Sequence, residues 1–232
     1  MRVAIIGNGK MGRTVAELAA QRGHVVHTVV EGKENAGGRA LTQERLKGTD
    51  VAVEFTRPDA VVANLERLIE LRVPTVTGTT GWSEHLGRIS ALVQRQRTAL
   101  LHAANFSVGV HLFLDAARAL ARGFRGRPEF TATIVEQHHQ TKLDAPSGTA
   151  LLLQRELEAE EAGRQFPITS LRLGDSPGQH TLSYESRDET VSLSHVSRSR
   201  HAFALGALAA AEWLPGRTGV FTFGDMLSGN RS

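Results

Sequence analysis

Residues 136 to 150, EQHHQTKLDAPSGTA, set two adjacent histidines, a lysine and an acid ahead of Pro-Ser-Gly-Thr. Three chemistries could use such a cluster: a metal, a proton relay or an anion cradle. A metal is the poorest fit, because neighbouring histidines on a strand point to opposite faces, no H-x-x-x-H or C-x-x-C accompanies them, and a lysine opposes a cation. No metal is expected. Acid-base work suits better: His138 or His139 can deliver a proton near neutral pH, and Lys142 can donate a proton or hold a negative group. Ser147, Gly148 and Thr149 precede a helix-like ALLLQRELEAEE, so their hydroxyl and N–H groups form an anion site at a helix N-terminus. A capped helix after a polar loop would explain Ser147 but not the density of basic groups. Together these residues call for a small, carboxylate-bearing substrate beside a proton donor.

The second chemical group is GNGKMG, Gly7-Asn8-Gly9-Lys10-Met11-Gly12, which follows a strand-like RVAII and opens a helix. Gly7 permits the tight turn, Gly9 lets backbone approach a pyrophosphate, and Gly12 allows the helix to pack close to the sheet. A glycine-rich turn alone would be weak evidence. Strand before, helix after and an acid at the end of the second strand make it a dinucleotide fingerprint. That acid is Glu31, able to accept hydrogen bonds from the adenosine ribose, which favours NAD; Lys33 can offset repulsion of a 2′-phosphate. NADH is therefore expected as cofactor, with NADPH accepted. Three further segments, FTRP (55 to 58), GTTGW (78 to 82) and AANFS (103 to 107), fall just past strand ends and should line the same groove. Gly78, Thr79 and Thr80 are placed near ribose and nicotinamide, and Ala103, Ala104, Asn105 and Phe106 at the carboxamide. Arg57 is a candidate for stacking on adenine, with a plain surface role equally open.

These residues need elements to hold them. Apolar runs at 2 to 6, 25 to 30, 51 to 55, 73 to 77 and 99 to 103 alternate with helical spacing around 11 to 22, 57 to 71 and 84 to 97, the rhythm of a parallel sheet flanked by helices. From about 130 the rhythm changes to longer alternating strands, FTATIVEQ, QHTLSYES and TVSLSHVS, with a helix after the first. The expected fold is α/β: an N-terminal Rossmann-like parallel sheet (1–106 and 207–232) with a second, mixed α+β domain for substrate and oligomerisation (107–206). The tail AFALGALAAAEWL and GVFTF returns to the first domain. EGKENAGGRALTQE reads as the most flexible stretch, and segments near 105 and 205 as hinges for closure of one domain over the other.

Composition bounds the rest. The 232 residues are 41% hydrophobic and 22% charged, with no cysteine. Disulfides and thiolate chemistry are excluded, and a reducing cytoplasm suits the chain. No apolar run is long enough to span a membrane, and the N-terminus lacks a signal-peptide pattern. The formal charge of +3 comes from 27 basic and 24 acidic residues. They are interspersed, which suits anionic small molecules and gives no basic run for nucleic acid. A cytoplasmic protein with no membrane and no nucleic-acid partner is expected. A nicotinamide sensor acting on DNA would need a helix-turn-helix, and none is recognisable. Another Rossmann oxidoreductase, such as an amino-acid dehydrogenase, would share the glycine loop but has no use for the histidine block.

The block HHQTKLDAPSGTA, with GTTGW, AANFSVGV, RLGDSPGQH and SRHAFALGA, closely resembles the 4-hydroxy-tetrahydrodipicolinate (dihydrodipicolinate) reductases of lysine and diaminopimelate biosynthesis, over nearly the whole chain. The resemblance implies a Rossmann domain for NAD or NADP, an α+β domain for the cyclic dicarboxylate, and a homotetramer assembled through second-domain sheets. It implies His138 as the acid-base residue, Lys142 as the proton donor, and His139 with Ser147, Gly148 and Thr149 on the substrate carboxylates. Two features depart from the pattern: many members have one more residue in the glycine loop, and the segment between the Thr149 helix and Arg172 is short here.

Overall fold

The computed structural model describes residues 1–176 and 178–229. The chain divides into two compact units, one made of Met1–Ser107 and the segment from Arg200 onward, the other of Val108–Ser199.

In the first unit, β1 (Arg2–Ile6), α1 (Lys10–Gln21), β2 (Val25–Val30), β3 (Val51–Glu54), α2 (Pro58–Glu70), β4 (Thr75–Thr77), α3 (Leu86–Gln96) and β5 (Ala99–His102) alternate as the apolar runs require. The unit closes with α6 (His201–Trp213), β10 (Gly219–Thr222) and α7 (Phe223–Gly229). The sheet order is β10-β5-β4-β3-β1-β2, every pairing parallel. Strands buried on both faces need unbroken apolar runs. β1 shows why: Val3 and Ile5 face α1 and α6, while Ala4 and Ile6 face the 31–50 loop and α2. The strand order reverses beside β1, with β2 on one side and β3 on the other, and ligands of open α/β sheets bind at the carboxyl ends beside such a reversal.

The second unit contains α4 (Val108–Phe124), β6 (Thr131–His138), α5 (Gly148–Glu160), β7 (Ile168–Arg172), β8 (Gln179–Glu185) and β9 (Thr190–Val196). Its sheet runs β7-β6-β8-β9, with β6 parallel to β7 and the other pairings antiparallel. Residues i and i+2 of a strand share a face. On the face under α4 and α5, β6 therefore presents Ala132, Ile134, Glu136 and His138, and β8 presents His180, Leu182 and Tyr184, all buried. One core face is apolar at one end and polar at the other.

Several expectations are revised. The first unit resumes at Arg200 rather than 207, because α6 packs Ala204, Ala207 and Leu208 into the same core as β1 and α1. Residue 205 consequently lies inside α6, and the chain crosses between the units at Ser199 and Arg200. The stretch 31–44, expected to be flexible, is pinned: Asn35 is buried and donates to Asn64 at 2.8 Å, Ala40 N–H donates to the Asn35 side chain at 3.0 Å, and Leu41 is fully buried. Buried hydrogen-bonded groups outweigh a glycine-rich composition. Neither α4 nor β7 was expected.

Candidate active site

The glycine loop has the geometry its three glycines require. Gly7 sits at φ +103°, and a Cβ there would lie 2.1 Å from the Phe55 carbonyl oxygen. A Cβ on Gly12 would lie 1.9 Å from the Gly7 carbonyl oxygen, whereas one on Gly9 would meet nothing within 4 Å. Two glycines thus serve the protein's own packing and the middle one faces open space. Gly9 caps α1 without a side-chain hydrogen bond, and no acid occupies the first turn. Amide groups at that helix end are available to an anion.

The loop opens on a groove of about 830 Å³ lined by Gly7, Asn8, Gly9, Glu31 and Lys33, with Thr56 and Arg57 across from them. Asn8 donates to one Glu31 oxygen at 3.0 Å, and Lys33 Nζ lies 3.1 Å from the other. The Asn8 hydrogen bond, and after it Lys33, hold the Glu31 carboxyl below its ordinary value. Lys10 is exposed at the first position of α1, and Met11 packs against the core. The fit to a dinucleotide is good on these grounds: a tight turn, an open middle glycine, an uncapped helix end and an ionised acid at the groove edge. Arg57, a stacking candidate, is instead paired with Asp59, its Nε donating at 3.0 Å.

Beneath FTRP and GTTGW is a residue that sequence reasoning missed. Glu54, at the end of β3, is fully buried and accepts hydrogen bonds from Thr56, from Thr77 at 2.5 Å and from Asn64 at 3.5 Å. Burial pushes its carboxyl up, against those hydrogen bonds. Thr79 Oγ1 accepts from the Thr56 amide at 2.8 Å, so Thr79 ties the two loops together. Thr80 is exposed. A Cβ on Gly78 would meet the Phe55 ring at 1.9 Å. In the segment after β5, Phe106 is buried against Phe55 and Phe223, and the Asn105 side chain accepts from the Ser107 amide at 2.8 Å. The Phe106 ring is core; Ala103 is partly buried and Ala104 exposed.

The second unit gathers the histidine block at the polar end of its sheet. Glu136 is fully buried; one carboxylate oxygen accepts from Arg172 Nη2 at 2.8 Å and the other is paired with His138 Nδ1. Burial favours the neutral acid, but the Arg172 and Ser170 hydrogen bonds and the nearby cations prevail, leaving Glu136 below the ordinary carboxylate range. His138 is lowered by burial, an effect that Glu136 opposes and that Lys142 and Arg172 reinforce. Lys142 Nζ lies 2.5 Å from Asp144, whose carboxyl that hydrogen bond lowers. His139, turned the other way, bonds Thr141 Oγ1 at 2.8 Å. Ser147 caps α5, but its hydroxyl is already used: it accepts from the Ala150 amide at 3.2 Å and lies 3.0 Å from His180 Nε2. It is 3% exposed.

His180 comes from a strand that had no assigned role. Glu136, His138 and His180 offer three potential ligand atoms within 4.8 Å of one another, a grouping that the adjacency of His138 and His139 did not reveal. One Glu136 oxygen accepts from Arg172 and the other lies against His138 Nδ1, with Lys142 close by. Such surroundings suit proton handling and anion binding better than a cation. Glu136, Arg172 and His180 were all missed; the signal for Glu136 was its spacing of two from His138 on a strand.

Comparison with known proteins shows the family. The family model for the dihydrodipicolinate reductase N-terminus matches residues 1–106, and that for the C-terminus matches 109–227. A 4-hydroxy-tetrahydrodipicolinate reductase of Christiangramia forsetii is 34% identical over 98% of both chains, and one of Thiobacillus denitrificans is 36% identical over 98% of both. A dipicolinate-bound dihydrodipicolinate reductase from Paenisporosarcina sp. TG-14 superposes with a TM-score of 0.80, covering 96% of this chain and 97% of that one; at 23% identity it speaks to the fold.

Proposed function

The chain belongs to the dihydrodipicolinate reductase family, and from that premise we propose how its residues divide the family's reaction. It is an NAD(P)H-dependent oxidoreductase that reduces 4-hydroxy-tetrahydrodipicolinate in lysine and diaminopimelate biosynthesis. NAD(P)H supplies the hydride. In our reading Gly7 to Gly12 hold the pyrophosphate, and Glu31 takes the ribose hydroxyls with Lys33 at their edge. Gly78 to Thr80 and the backbone of Ala103 to Phe106 position the nicotinamide.

On the substrate side, His138 serves as the acid-base residue and Lys142 as proton donor and carboxylate partner. His139 and the Gly148 and Thr149 amides receive the carboxylates, and Ser147 acts by shaping the helix end. One observation carries this reading: buried Glu136, bonded to Arg172, lies against His138 Nδ1 with Lys142 nearby, an arrangement suited to proton exchange beside a dianion. We further propose a cytoplasmic homotetramer. The absence of cysteine and of any described helix able to cross a membrane supports the compartment. The second unit's outer sheet face, where Thr181 meets Ser194 at 3.0 Å and Ser183 meets Ser192 at 2.9 Å, is half-exposed and available for assembly, which sedimentation velocity would test.

The deciding experiment is steady-state reduction of enzymatically generated substrate by His138→Gln and Lys142→Ala. Both should lose kcat by about 10²-fold or more with little change in cofactor affinity. Loss of NADH binding with kcat intact would sink the assignment of His138, and normal turnover by Lys142→Ala would reduce that lysine to a loop residue.

A further inference from the structure

We propose that Glu136 is the positioning acid of this reaction, holding His138 with its Nδ1–H donated inward so that the proton exchanged with substrate passes through Nε2 alone. The inference rests on reading His138 as the acid-base residue, and adds the group that sets its tautomer and orientation.

The geometry leaves Nδ1 one role. Glu136 and His138 are two apart on β6 and share its buried face, and Glu136 pairs directly with Nδ1. An ionised carboxylate only accepts, so the nitrogen facing it must carry the hydrogen. Arg172, from β7, keeps the carboxylate ionised by donating to its other oxygen at 2.8 Å. The same Nη2 donates to the Asp144 carbonyl at 2.6 Å. One guanidinium thereby steadies the support of His138 and the loop that carries Lys142.

Nε2 is left with the exchange. It faces Gly178, where a Cβ would stand 3.1 Å away. The glycine, at φ +135°, keeps that side of the ring clear. His180, on β8, stands edge-on with ring centroids 5.2 Å apart, and its own Nε2 is paired with Ser147. The charged and titratable groups around His138 are Glu136 on its own strand, Arg172 on β7, His180 on β8, and Lys142 and Asp144 in the loop; His195 on β9 acts on His180. Glu136 is the main counterweight to the burial and cations that disfavour the imidazolium.

The test combines tautomer, rate and pH. In the unmodified enzyme labelled with ¹⁵N-histidine, with the His138 signals identified by their loss in His138→Gln, long-range ¹H–¹⁵N spectra should show neutral His138 as the Nδ1–H tautomer. The Nε2–H tautomer would overturn the proposal without any variant at Glu136. Glu136→Gln keeps the volume and an acceptor but removes the charge; kcat should fall at least about ten-fold with the KM for NADH changed less than about two-fold. The His138 limb of its pH–rate profile should move to lower pH, and Glu136→Asp should return it part of the way. A Glu136→Gln enzyme with wild-type kcat and an unmoved limb sinks the positioning role alone if His138→Gln is impaired. If His138→Gln turns over normally, the reading of His138 falls first.

Discussion

At the level of single residues, cofactor choice depends on how Glu31 is already held. Asn8 and Lys33 approach its two oxygens at 3.0 and 3.1 Å, so the carboxylate is ionised and poised at the groove edge. Glu31→Ala should weaken NADH roughly ten-fold or more, since a hydrogen bond to a charged acceptor is lost, and should weaken NADPH less or improve it. Lys33→Ala should do the reverse on a smaller scale, because that side chain is 85% exposed and its charge is screened. Fluorescence titration with both cofactors checks this; equal changes for the two would mean that Glu31 only shapes its loop. His180 makes a different kind of prediction. Burial, and then the charge of His138, lower it to about 4 from an ordinary 6.5. A folded-state value below the unfolded one means the native protein binds fewer protons across that window. The stability held by neutral His180 is therefore complete above about pH 6.5 and is lost as pH falls toward 4. Urea midpoints should drop across that range in the wild type and drop less in His180→Gln, a variant that cannot titrate; parallel curves would remove His180 from the account.

At the level of elements, the two outer loop glycines and the middle one should separate cleanly by substitution. Gly12→Ala drives a Cβ against the Gly7 carbonyl at 1.9 Å, so α1 must shift, costing about 1–3 kcal/mol of stability along with cofactor affinity. Gly9→Ala meets no protein atom within 4 Å and should leave the thermal midpoint nearly unchanged while weakening NADH. If Gly9→Ala bound NADH normally, the backbone there would not approach the pyrophosphate. The period of the apolar runs made the first sheet readable, because strands buried on both faces announce themselves. The glycine loop and HHQTKLDAPSGT carried the local signals of turn and helix cap. What stayed hidden depends on pairing between distant segments. Glu54 looks like an ordinary strand-end acid until Thr77 and Asn64 close over it. His180 gains meaning only because β8 sets it opposite Glu136. The 31–44 loop is ordered by Asn64 of α2, which nothing in the loop's own composition reports.

At the scale of the whole molecule, the chain leaves the first unit after Ser107 and re-enters it at Arg200. The returning segment is no appendage. Ala204, Ala207, Leu208, Ala210 and Ala211 of α6, with Leu214 just after it, join Phe223 and Met226 in the core that holds Val3, Ile5, Val15 and Val53. A Cβ on Gly206 would come within 1.8 Å of the Phe106 carbonyl oxygen, so the helix passes against the backbone that follows β5. Small residues permit that approach, and it is why α6 reads as alanine-rich rather than amphipathic. Removing everything after Ser199 keeps the glycine loop, Glu31, Gly78 to Thr80 and Ala103 to Phe106, yet it uncovers the part of the sheet face that α6 covers beside α1. Each of the larger side chains lost is worth about 1.5–3 kcal/mol of burial, and a domain's net stability is only about 5–15 kcal/mol. The truncated chain should therefore lose the cooperative melting of the first unit and bind no NADH, read by circular dichroism and fluorescence titration. Retained NADH affinity in that chain would mean that the first 107 residues hold the cofactor fold by themselves and that α6 only covers it.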